Sequence, residues 1–122
     1  MKKKTVIIGA TPNSARYAYL AANMLKEYDH EIVPVGIRNG SVGGVPIADI
    51  HQRPAIPDVD TVTLYIAPRH QPPLYDYIIG LKPKRIIFNP GTENEEFEKL
   101  AEEKGIEATQ ACTLVLLRSN QF

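Results

Sequence analysis

The sequence predicts a single three-layer α/β domain over residues 1–122, built on a doubly wound, mainly parallel sheet of five strands. Two observations predict it. Short β-branched apolar runs end at glycine or proline, and stretches with the spacing of one amphipathic helix separate them. Such alternation gives right-handed βαβ units and an open sheet with helices on both faces. At 122 residues the chain is long enough for one sizeable core and too short for a second catalytic domain.

Thr5-Val6-Ile7-Ile8 is apolar without alternation, as a strand buried on both faces should be, and Gly9 closes it. Asn13 or Ser14 offers an N-cap, after which Tyr17, Leu20, Ala21, Met24, Leu25 and Tyr28 recur at helical spacing. That predicts a first helix of about four turns. Glu31 to Val35 reads as the second strand, short or irregular because Pro34 removes a ladder hydrogen bond. Residues 36–48, rich in glycine, read as a surface loop with one brief strand around Val45-Pro46-Ile47, and Ala48 to Gln52 as a helical turn. Loops of this length in compact domains are often binding loops.

Thr61 to Ile66 is the third long strand. Pro72 and Pro73 suit a first helical turn, and Leu74, Tyr77, Ile78 and Leu81 follow at helical spacing until Lys82-Pro83 stops them. Arg85 to Phe88 is the fourth strand. Thr92 and Glu95 form a capping box for a helix that buries Phe97, Leu100 and Ala101 and ends at Gly105. Ile106-Glu107-Ala108 is the fifth strand, with Leu114 to Leu117 packing back on the sheet.

Fourteen basic and fourteen acidic side chains cancel, so no net field gathers nucleic acid or an anionic membrane, and any anion site must be local. Lys2-Lys3-Lys4 reads as a solvated run. No apolar stretch approaches the roughly 18 residues of a membrane span, and none has the pattern of a signal peptide. The single cysteine, Cys112, excludes an internal disulfide. These features predict a cytoplasmic protein.

In an open α/β sheet, ligands bind beyond the carboxyl ends of the strands, where strand order reverses. The turn after the first strand reads Gly9-Ala10-Thr11-Pro12-Asn13-Ser14-Ala15-Arg16. Gly9 permits close backbone approach, and the following helix presents free N–H groups and the positive end of its dipole. Thr11, Asn13 and Ser14 add side-chain donors, although Asn13 or Ser14 could equally be a plain helix cap. The turn has neither the full Gly-x-Gly-x-x-Gly pattern nor a Gly-Lys-Ser/Thr ending. NAD sites usually hold the ribose with a carboxylate about 20 residues further on. Here Val35-Gly36-Ile37-Arg38 supplies an arginine instead, whose planar fork suits a ribose phosphate, which points to coenzyme A or NADP.

Of the three histidines only His70 follows a predicted strand, and no partner for a triad stands beside it. Cys112, on the same carboxyl edge, is either a thiol that exchanges with the ligand or a small buried hydrophobe.

These residues together resemble the small bacterial coenzyme A-binding domain proteins, whose fold is also that of the N-terminal domain of the succinyl-CoA synthetase α subunit. The resemblance rests on Val6 to Asn13, Ile32 to Val35, Gly44 to Ile47, Asp60 to Ile66, Pro90-Gly91-Thr92-Glu93-Asn94-Glu95-Glu96 and Cys112. It implies a Rossmann-like fold in which Gly9, Ala10, Thr11, Asn13, Ser14 and Arg16 hold the pyrophosphate, while Val35, Gly36 and Arg38 frame the ribose phosphate. By the same resemblance Ala67, Pro68 and Arg69 line the adenine and pantetheine path, and Asn89, Pro90 and Gly91 approach from the fourth strand. The ligase activity does not carry over, because it needs a phosphorylated histidine in a second domain and an ATP-grasping partner subunit. The expected function is to bind coenzyme A or an acyl-CoA without catalysis, as a sensor, carrier or accessory protein. The alternatives are an NADP-dependent oxidoreductase module and a ligand-free interaction protein. The partners expected are a small nucleotide ligand, with no nucleic acid and no membrane, and a further protein or a second copy of the chain.

Overall fold

The computed structural model describes residues 2–122. Its centre is a six-stranded, all-parallel sheet in the order β5-β2-β1-β6-β7-β8. The strands are β1 (Thr5–Ile8), β2 (Ile32–Gly36), β5 (Ala48–Asp49), β6 (Thr61–Leu64), β7 (Arg85–Phe88) and β8 (Glu107–Gln110). The doubly wound prediction holds, with one strand more than expected. The extra strand, β5, is two residues long, too short for a periodicity, and lies where a helical turn was predicted; a single 3-10 turn, Ile50–Gln52, follows it.

β1 sits in the middle, in register with β2 on one side (Thr5 opposite Ile32) and β6 on the other (Thr5 opposite Thr61). All four of its residues are buried, and removing Val6, Ile7 and Ile8 from water contributes about 1.5–3 kcal/mol each. Pro34 does not disturb β2. The carbonyl of Glu31 accepts from Thr5 N in β1 and that of Val35 from Gly9 N just after it, so the intervening even-numbered positions face the outer edge, and β5 pairs there only from Val35 onward. The missing N–H of Pro34 therefore falls where no ladder partner exists.

One face of the sheet carries α1 (Tyr17–Glu27) and α4 (Thr113–Arg118). The other carries α2 (Tyr75–Gly80) and α3 (Glu95–Glu103), which pack Ile78, Phe97 and Ala101 against Val62, Leu64, Ile86 and Phe88. α1 differs from expectation in length and register. Asn13 does not cap it, because its Oδ1 accepts from Ala15 N at 3.0 Å within the turn; the helix starts only at Tyr17, with Arg16 as an N-cap lacking a side-chain bond. The buried stripe is Ala18, Ala21, Ala22 and Leu25, which leaves Tyr17 and Leu20 outside.

The glycine-rich stretch is also more ordered than a surface loop. β3 (Ser41–Val42) and β4 (Val45–Pro46) form a hairpin packed on α1 through Val42, Val45 and Ile47. α3 is capped two residues later than predicted, by Asn94, whose Oδ1 accepts from Phe97 N at 3.1 Å. Thr92 is instead buried, donating its hydroxyl to Asn89 O at 2.8 Å.

Candidate nucleotide-binding cleft

The chain leaves β1 for β2 on one side and later returns to lay β6 on the other, so the sheet's order reverses at the carboxyl end of β1. A cleft of about 400 Å³ opens there. Three backbone segments are stitched together at its mouth. Gly9 N and Ala10 N both donate to Val35 O, at 2.9 and 3.0 Å, and Tyr65 N donates to Ile8 O at 2.8 Å. Glycine is required at both close approaches. A Cβ on Gly36 would lie 2.2 Å from Ala10 O, and one on Gly9, whose φ is +97°, would lie 2.9 Å from Tyr65 O.

From the predicted site, Gly9, Ala10, Thr11, Arg16, Gly36 and Arg38 come together as lining of this cleft. Asn13 and Ser14 are exposed beside it, Asn13 engaged in its own turn. Val35 is fully buried and shapes the mouth only through its carbonyl. Ala67, Pro68 and Arg69 lie at a 3-10 turn (Pro68–His70) after β6 and do not line the cleft.

Asn89, Pro90 and Gly91 do not line it either. Asn89 is 2 % exposed, and its side chain is fully engaged: Nδ2 donates to Thr63 Oγ1 at 2.7 Å and Leu64 O at 2.8 Å, and Oδ1 accepts from Thr113 N at 2.9 Å. Pro90 and Gly91 are exposed, with Gly91 N donating to Glu93 Oε1.

Sequence reasoning missed Tyr17, Ala18, Ile37, Ile50, Tyr65 and Ile66, which complete the lining. Tyr17 is hidden by its helical spacing, and Tyr65 and Ile66 by the apolar run that extends the third strand on paper beyond its observed end at Leu64. No sequence signal distinguishes Ile37.

Electrostatically the cleft favours an anion. Arg16 and Arg38 line it, no Asp or Glu does, and neither guanidinium has an acidic partner among the described residues. The uncapped start of α1 adds unpaired N–H groups and the positive end of the helix dipole. Tyr65 is a poor acid here. Burial pushes its hydroxyl up to about 12, against the opposing effect of hydrogen bonding with Thr113 and Thr63. Cys112, half-buried just before α4, is outside the lining, as are the three histidines. His51 is held in a local turn, its Nδ1 3.1 Å from Asp49 Oδ1.

A doubly wound parallel sheet with a glycine turn at its reversal point defines a Rossmann-like α/β domain, and here that turn borders an acid-free cationic cleft. Within that class the chain belongs to the CoA-binding domain family, whose model matches residues 3–118. It is similar to a crystal structure of an uncharacterised protein, at 56 % identity and a TM-score of 0.97 over 100 % of this chain and 99 % of that one. A protein from Thermus thermophilus, cell-free ID.343, is 20 % identical, with a TM-score of 0.83 over 99 % of this chain and 91 % of its own. A conserved hypothetical protein from Pyrococcus furiosus is 24 % identical, with a TM-score of 0.80 over 93 % of this chain and 97 % of its own. The latter two support the fold alone. No functionally curated protein matches the chain. Among the described residues no helix is long and apolar enough to cross a membrane.

Proposed function

We propose that the protein binds coenzyme A or an acyl-CoA in this cleft and acts through binding, as a cytoplasmic sensor, carrier or accessory protein. The observation that carries this reading is the convergence of Arg16 and Arg38, both without acidic partners among the described residues, on the glycine-lined turn of a CoA-binding family member. The start of α1 and Arg16 would hold the pyrophosphate, and Arg38 would make charge-assisted hydrogen bonds to the phosphate on the adenosine ribose. Binding without catalysis fits a lining whose only titratable side chains are two arginines and two tyrosines, one of them held protonated by burial.

NADP also carries a ribose phosphate and would meet the same Arg38; family membership favours coenzyme A. Thermal unfolding with coenzyme A, dephospho-coenzyme A, NADP and ATP tests the reading. A ligand at about 100 times its Kd should stabilise the native state by about 2.7 kcal/mol. Coenzyme A should raise the midpoint most; a rise with NADP and none with coenzyme A overturns the assignment.

A further inference from the structure

Among the described residues four large apolar side chains are strongly exposed: Tyr17, Leu20, Ile37 and Val115. Tyr17 and Ile37 are the most exposed of them, at 71 % each, and both line the cleft. Each is also the chain neighbour of a lining arginine, so the cleft is built from two apolar-cationic pairs, Arg16-Tyr17 at the start of α1 and Ile37-Arg38 at the end of β2. The turn that leads into α1 and the end of β2 approach closely, a Cβ on Gly36 falling 2.2 Å from Ala10 O, and both pairs line the same cleft. A simple anion would need the arginines but not the apolar neighbours, and an apolar ligand would need the reverse. A flat heteroaromatic ring joined to phosphates needs both.

We propose that Tyr17 and Ile37 form the seat for the purine ring of the bound nucleotide, with Tyr17 stacking on the face of the ring. This rests on the reading of the cleft as a nucleotide site. A phenol ring has two side-chain torsions to fix and a polarised face that favours offset stacking, so it can hold a base at low ordering cost. Any base has such a face, so the contact supplies affinity and position, while the arginines select for the phosphates. Coming from the helix start and not from a strand, Tyr17 stands outside the hydrophobic core, so its replacement leaves the fold intact.

The test is calorimetric titration of the wild type, Tyr17→Ala, Tyr17→Phe and Ile37→Thr with coenzyme A, adenosine 3′,5′-diphosphate and 4′-phosphopantetheine, which lacks the base. Tyr17→Ala should weaken the first two ligands about tenfold, in line with the loss of one base-aromatic stack, and leave 4′-phosphopantetheine unchanged. Tyr17→Phe should bind as the wild type does, and Ile37→Thr should show a smaller loss with the same ligand pattern. Wild-type affinity of Tyr17→Ala for coenzyme A overturns the ring seat and leaves the coenzyme A reading standing. Equal loss of all three ligands also overturns it, because Tyr17 would then act on the pantetheine arm. Binding of ATP or NADP with the same dependence on Tyr17, and none of coenzyme A, supports the seat and overturns the coenzyme A reading. If no adenine nucleotide binds the wild type, both fall.

Discussion

At the β1–β2 end of the sheet's carboxyl edge, Arg16 and Arg38 stand around an open cleft without acidic partners among the described residues. At the β6–β7 end, Asn89, Gln71 and Asn94 are tied to one another's surroundings by side-chain hydrogen bonds. Gln71 Nε2 donates to Ile66 O and Thr92 O, at 3.0 and 2.9 Å, while its Oε1 accepts from Asn94 Nδ2 at 3.0 Å. No buried side-chain polar atom among the described residues lacks a partner. Both ends follow parallel strands and both look like ligand loops in the sequence. What separates them is whether the polar groups have partners within the protein: at the closed end they fasten the fold, and at the open end the two arginines face solvent in the cleft.

The largest effect should come from breaking the closed end. Asn89→Leu deprives Thr113 N of its buried acceptor and removes two donors, and should cost about 3 kcal/mol in urea unfolding. A loss well under 1 kcal/mol would mean that this end is not a fastening at all. Next is Gly36→Ala, which forces a methyl group against Ala10 O. It should cost about 2 kcal/mol and weaken coenzyme A, because the shift moves Arg38 and the Gly9 turn together. Unchanged stability with unchanged binding would count against the stitched mouth.

Arg38→Ala probes the open end. It should leave the unfolding midpoint nearly unmoved yet weaken coenzyme A by about 1.5 kcal/mol, with little effect on dephospho-coenzyme A. Equal losses for the two ligands would remove Arg38 from the phosphate role.

The smallest effect lies at the opposite edge of the sheet and serves as a control for both ends. His30 has its pKa lowered from 6.5 by burial and then by the neighbouring Lys2, Lys3 and Arg85, and its Nδ1 accepts from Lys3 N at 2.9 Å. The fold therefore favours the neutral ring. Its contribution is whole above the unfolded value of about 6.5 and is lost as the pH falls through the lowered folded value. Melting curves between pH 7.5 and 5 should show a slope that His30→Asn flattens. An identical slope in the variant would assign the acid sensitivity elsewhere.

Most of the sheet was legible because its strands are continuous apolar runs: Thr5–Ile8 and Arg85–Phe88 carry their burial in their composition. The two-residue β5 was not legible, since two residues hold no period. The cleft was half legible. Gly9 and Arg38 are chemically distinctive residues in the right order, whereas Tyr17 and Asn89 were misread for one shared reason. A tyrosine at helical spacing and an asparagine after a strand each have a core role and a surface role. Only the starting point of α1 and the hydrogen bonds of Asn89 decide between them.

The central position of β1 has a consequence during synthesis. Among the strands of this sheet β1 is made first, and it ends with neighbours on both edges, the second of which is Thr61–Leu64. Until that segment emerges, a β-branched apolar strand has an unpaired edge, which is a template for association with other nascent chains. Lys2, Lys3 and Lys4 directly precede it. Charges flanking an unavoidable hydrophobic strand oppose such pairing, and the finished fold uses the same lysines again, their ammonium groups donating to Tyr28 O, Phe122 O and Pro57 O.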